Sequence, residues 1–234
     1  MSAVDVARTA LRGLGQTLIT LGVVVLLFCV YELQFTNVVA ARAAERQSEQ
    51  LTATWAEPPP PPPRPTTPGA PPPVLTPIRG DAFAKLHVPA LTGYEPVNVV
   101  EGVSVEDLKK SAPGHIPGTA MPGELGNVVL SGHRTTYGAP FNRWADLQPG
   151  DEVVVETRTQ WFTYTITGSD IVAPTAIEVT YPVPGDRTAT PTKRLLTMTT
   201  CNPMYSARER LIVSAELSAT DAKSAGLPVA LRSV

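Results

Sequence analysis

Cysteine is the first shortage. The chain has two, Cys29 and Cys201, in 234 residues, too few for a disulfide framework. Histidine is nearly as scarce, with His87, His115 and His133 making a total of three. There is no CxxC or HxxxH pair, so a zinc site built from His115, His133 and Cys201 would lack the close-spaced ligands such sites use. No compact acidic cluster indicates a calcium loop, and no cofactor is implied. Neither sign of charge dominates, with 19 basic residues against 21 acidic and a net charge of −2. That balance argues against nucleic acid as a partner and against an acidic solvating tail. Charged residues are only 17% of the chain, while proline reaches 25 residues. Both biases have local causes.

The low charge traces to GLGQTLITLGVVVLLFCVY, Gly13 to Tyr31, which carries none. As a helix at 1.5 Å per residue it covers roughly 30 Å, the thickness of a bilayer's hydrocarbon core. Arg8 and Arg12 precede it, while Glu32, Arg42, Glu45 and Arg46 follow in mixed sign. This bias favours a cytoplasmic N-terminus (1–12) and an exported remainder. The expectation is an uncleaved single-pass membrane anchor over 13–33. The alternative, a signal peptide cleaved near VVAARAAE from Val38, exports the remainder equally. Residues 34–57, rich in Ala, Glu, Gln and Arg, read as a polar helical stalk. Pro58 stops it and opens PPPPPPRPTTPGAPPPVLTP, which prefers extended polyproline and cannot form a core. Over 58–79 it reads as a spacer, with a reach of about 60 Å at ~3.1 Å per residue, holding a domain off the membrane.

From residue 80 short apolar runs alternate with Pro/Gly turns, the signature of an all-β domain. AFAKLHV, PVNVV, GNVVLSG, DEVVVETR, WFTYTIT, AIEVTY, RLLTMTT and RLIVSAEL read as strands. Two short helices are expected, one capped by Ser104 with Asp107 three residues on, the other in FNRWADL. Seven or eight strands suggest a barrel or sandwich. The tail after Thr220 is small and polar enough to be poorly ordered.

With Cys29 inside the apolar run, Cys201 is an unpaired thiol in an exported domain, a candidate nucleophile. A thiol needs a base nearby to act as thiolate. His87 lies mid-strand and reads as structural, and His115 sits in a loop where it could be structural or line a cleft. His133 follows GNVVLSG directly, displayed where a rigid strand ends. Cys201 also ends a strand, so the two can meet if those strands are neighbours. An oxyanion would need a fixed cation, which Arg208 or Arg210 could supply. Arg210 opens the last strand and is better held than Arg208 in the loop. On that strand Leu211, Val213, Ala215 and Leu217 share one face, and Arg210, Ile212 and Ser214 the other.

TMTTCNPMYSARERLIV, LSGHRTTYGAPF and PGHIPGTAMPGELGN, in that combination, resemble the sortases, most closely the class E sortases of high-GC Gram-positive bacteria. The resemblance covers about residues 80–218, leaving 219–234 as a tail. Asn202 is a departure, since class E more often has His after the cysteine. The resemblance implies a closed eight-stranded β-barrel and a cysteine transpeptidase. In it Cys201 is the nucleophile, His133 the acid/base and Arg210 the residue that orients substrate and stabilises the oxyanion. Thr200 and Tyr137 are candidate substrate contacts. Implied partners are exported proteins with an LAXTG- or LPXTG-like C-terminal sorting signal, and a peptidoglycan-precursor amine that resolves the thioester. A non-enzymatic extracellular binding domain is the rival reading, and an extracellular cysteine peptidase a lesser one.

Overall fold

The computed structural model describes residues 3–57 and 77–232. The proline-rich run therefore lies almost entirely outside the described residues. Eight strands form one closed barrel: β1 (Ala82–His87), β2 (Val97–Glu101), β3 (Gly114–His115), β4 (Gly126–Ser131), β5 (Glu152–Glu156), β6 (Gln160–Val172), β7 (Arg194–Asn202) and β8 (Glu209–Ala222). Their order around it is β1-β2-β3-β4-β7-β8-β6-β5. Most neighbours are antiparallel, but β2 with β3 and β4 with β7 run parallel.

Alternation decides which residues face inward. Val128 and Leu130 of β4, Leu196 and Met198 of β7, and Leu211, Val213 and Ala215 of β8 enter the core with Phe141, Trp144, Phe162 and Tyr164. The expected faces of β8 are the observed ones. Ser104 and Asp107 form a reciprocal capping box on the four-residue helix α2 (Val105–Leu108), and a 3-10 turn at Trp144–Asp146 occupies the second predicted helix.

Three expectations are corrected. AIEVTY is no strand. Ile177–Thr180 form a 3-10 turn, whose exposed Ile177 lacks the half-buried sheet environment that β-prone residues need. The tail is ordered through Arg232. β8 runs to Ala222 against Gln160 of β6, and Lys223 beyond it donates to Glu156 Oε1 at 2.6 Å and lies 4.2 Å from the Trp55 ring centroid. The two-residue β3, too short for any periodicity, was missed.

The N-terminal helix α1 is continuous over Ala3–Ala56. Val4–Tyr31 is long and apolar enough to cross a membrane, and none of it is buried. The second half behaves differently. Ala40, Gln47 and Leu51 are buried and, at helical spacing, share a face that packs on β1 and β2. The Ala44 carbonyl accepts from Asn98 Nδ2 at 3.0 Å, Asn37 Oδ1 accepts from the Gly138 amide at 3.1 Å, and the Glu57 carbonyl accepts from Arg158. The predicted stalk is thus helical but not free-standing. The proline-rich run expected to be a spacer lies outside the described residues except at its last positions.

Candidate active site

The site is built by register. β4 and β7 pair in parallel up to Ser131 with Thr199, and the Gly132 amide still donates to Thr199 O at 3.1 Å. Extended two residues past Ser131, the same register would bring His133 level with Cys201. On the other side of β7, Cys201 is the direct antiparallel partner of Arg210. Adjacent strands lie ~4.8 Å apart, so thiol, imidazole and guanidinium come from three consecutive strands at the same end of the barrel. Since Met198 and Leu211 point inward, alternation turns Cys201 and Arg210 outward. Cys201 is a free thiol, half-buried and unpaired.

Local sequence delivers His133 to that point. A Cβ on Gly132 would lie 2.8 Å from the Phe141 ring, which is fully buried and stacked on Trp144 with centroids 4.1 Å apart. Only glycine lets the chain cross that immobile pair. The Phe141 amide then donates to His133 O at 3.0 Å, closing the loop. Within it Tyr137, at φ 51°, places its ring 5.1 Å from the His133 ring.

The imidazole of His133 has no hydrogen-bond partner among the described residues, and partial burial lowers its pKa below the ordinary histidine value by disfavouring the charged form. Neutral imidazole is therefore the resident form near neutrality, ready to accept a proton. Arg210 Nη1 donates to the carbonyls of Ala207 and Glu209, each at 3.0 Å, which anchors one nitrogen of the guanidinium. Arg208 is exposed in the loop.

Thr200 stands differently from its expected role. It is 2% exposed, and its hydroxyl donates to Gly132 O at 2.8 Å. It pins the approach to His133 and presents nothing to a ligand. His115 is 1% exposed. Its Nδ1 lies 2.7 Å from Glu101 Oε2, and its Nε2 faces Ala120 O and Thr119 Oγ1. Both nitrogens are engaged, so His115 is structural and takes no part with Cys201. His87 is likewise held, by Glu156 at 2.7 Å.

Sequence reasoning missed Arg134. It is 8% exposed and donates through Nη1 to the Cys201 carbonyl at 3.2 Å and to Asn202 Oδ1 at 2.6 Å. Its only signal was adjacency to His133. A groove of about 840 Å³ between α1 and the barrel, lined in part by Leu51, Trp55, Phe83, Met121 and Phe162, shares no residue with this site.

A free thiol on a strand of a closed β-barrel, with an arginine as its cross-strand partner and a histidine just past the end of the neighbouring strand, fits a cysteine-dependent acyl-transfer enzyme. The sortase domain matches residues 86–218, and the chain belongs to the sortase family, a family of cysteine transpeptidases. It is 35% identical over 232 residues to Sortase SrtE1 of Streptomyces coelicolor, covering 96% of this chain and 62% of that protein, so it spans less than two thirds of that relative's length. Among solved structures, sortase E of Streptomyces avermitilis is 42% identical with TM-score 0.59, over 66% of this chain and 99% of that one. Sortase E1 of S. coelicolor, solved with a tripeptide in the active site, is 35% identical with TM-score 0.61, over 67% and 99%.

Proposed function

We propose that this chain is a membrane-anchored class E sortase in which Cys201, His133 and Arg210 carry out transpeptidation. The observation that supports the reading is the register that pairs Cys201 with Arg210 across β7 and β8, with β4 running alongside β7 up to two residues before His133. Cys201 Sγ attacks the Thr carbonyl of a Thr–Gly bond while its proton passes to His133. Arg210 faces the oxyanion as charge develops there. His133 then gives the proton to the leaving glycine amine, the C–N bond breaks, and a thioester remains on Cys201. An incoming amine loses its proton to His133, attacks the thioester, and releases the thiol with a new amide formed. Because burial favours the neutral imidazole, His133 enters the cycle as a proton acceptor.

The substrates are exported proteins with an LAXTG- or LPXTG-like C-terminal signal, and the acceptor is a peptidoglycan-precursor amine. The tripeptide in the active site of the S. coelicolor relative supports a peptide as ligand. The anchor is the uncharged part of Val4–Tyr31 that follows Arg12, oriented with Arg8 and Arg12 on the cytoplasmic side. Tyr137 lines the substrate side of the imidazole. Incubating the full chain with LAXTG and LPXTG peptides tests the reading: mass spectrometry finds an acyl adduct on Cys201, and Cys201→Ala abolishes it. Arg210→Ala lowers turnover by ~10²–10³, while Arg208→Ala leaves it within about twofold. A wild-type chain that forms no adduct with either peptide would sink the proposal.

A further inference from the structure

We propose that Arg134, Asn202 and Glu209 form a positioning relay that holds His133 and Arg210 in register on either side of Cys201. This rests on the transpeptidase reading above. Each member is the chain neighbour of one residue of the site: Arg134 follows His133, Asn202 follows Cys201, and Glu209 precedes Arg210. Arg134 Nη1 donates to both the Cys201 carbonyl and Asn202 Oδ1. Asn202 Nδ2 in turn donates to Glu209 Oε2 at 2.9 Å. Asn202 and Glu209 are direct cross-strand partners, one step beyond Cys201 and Arg210.

The relay stands where the backbone ladder runs out. β4 last pairs with β7 at Ser131 and Thr199, yet His133 must be placed two residues later. Side chains supply the tie there. The amide of Asn202 has only one workable orientation, because turning it over would set its NH₂ against the guanidinium and its oxygen against the carboxylate. Among the described residues no carboxylate pairs directly with Arg134, so its buried charge meets a negative one only through Asn202. Arg134 Nε is buried without a partner. A buried donor left unmade costs about 1–3 kcal/mol, and an arginine serving stability alone could relieve this by turning outward. The geometry makes Asn202 the centre of the relay, joining the ends of β4, β7 and β8.

The relay makes a prediction that charge balance does not. Asn202→Asp keeps an oxygen for Arg134 and would neutralise it directly, but it loses the Nδ2 donor and sets a carboxylate against Glu209. If orientation is what counts, Asp fails as Ala does. The test uses the full chain in nanodiscs in a Cys29→Ala background, with Asn202→Ala, Asn202→Asp, Arg134→Lys, Glu209→Ala and Glu209→Gln. Three readouts are taken: kcat and KM on the sorting peptide, the pH profile of Cys201 alkylation by iodoacetamide, and Tm.

The expected result is a fall in kcat of about tenfold to hundredfold for Asn202→Ala and Asn202→Asp, with KM within about twofold. Their alkylation profiles move to that of His133→Ala, while Tm stays within a few degrees. Gln at 209, which still accepts from Asn202, recovers most of what Ala loses, and Lys at 134 recovers only part. Wild-type kcat in Asn202→Asp, losses that track Tm across the series, or alkylation profiles superimposed on wild type would each overturn the relay. Should the wild-type chain turn over neither peptide, the functional reading fails, and the alkylation profiles still decide whether these residues place His133 beside the thiol.

Discussion

His115 and His133 stand on neighbouring parts of one barrel, at β3 and just past β4, yet their surroundings differ in every respect that matters for chemistry. His115 is sealed in, with a carboxylate on one nitrogen and two oxygens at the other. His133 is half open, rests against Tyr137, and has no carboxylate or carbonyl on its ring among the described residues. A histidine whose nitrogens are committed stabilises a fold. One whose nitrogens are free, in a site that disfavours its charge, can take up a proton and return it.

The comparison can be broken most directly by exchanging the losses. His133→Ala should lower kcat by ~10²–10⁴ with Tm nearly unchanged. His115→Ala, which strands the buried Glu101, should destabilise by about 1–3 kcal/mol while the folded fraction keeps its specific activity. Peptide turnover normalised to folded protein, together with thermal unfolding, measures both, and the reverse pattern would erase the distinction. Gly132→Ala comes next. Its methyl meets the Phe141 ring, and the displaced His133 should lose up to ~10²-fold in kcat, with KM moving less.

A smaller effect lies in the pH profile. Burial lowers the pKa of His133, so the acid limb of kcat/KM should fall below the ordinary histidine value of about 6.5. The folded chain binds that proton less readily than the unfolded chain. The stability His133 contributes is thus present above the ordinary value and is lost as pH falls towards the lowered one. The last prediction concerns a contrasting structural carboxylate. Burial opposes the ionisation of Glu156, but hydrogen bonds from His87 and Lys223 outweigh it and hold its pKa below the usual glutamate value. Its contribution is therefore full above that usual value and disappears as pH drops through the lowered one. Glu156→Gln should cost about 1–2 kcal/mol at neutral pH, read by denaturant unfolding, and little at pH 3.

Much of this was legible in the residues. Strand alternation assigned the inner and outer faces of β8 correctly, and strand ends pointed to His133 and Cys201 because a rigid element holds the residues at its end in a set place. That β4 and β7 are parallel neighbours was not readable, since register between distant strands is a tertiary property. The role of Thr200 was obscured for a related reason. It was a candidate substrate contact, but period two turns it to the face opposite Cys201. AIEVTY had strand-like composition without a partner strand to pair with. The Ala40, Gln47 and Leu51 face of α1 went unseen because alanine signals helix propensity more loudly than packing. Arg134 and Glu209 carry no pattern at all, and only the folded chain brings them to Asn202.

That same helical face has a consequence for where catalysis takes place. Asn37, which holds the Gly138 amide beside Tyr137, lies six residues after Tyr31 at the end of the apolar segment, or about 9 Å along a helix axis. With the anchor proposed above in a bilayer, the enzyme would work within the lipid headgroup layer and meet its substrates by lateral diffusion, so that their density per unit of membrane area, more than their concentration in the surrounding fluid, would set its rate.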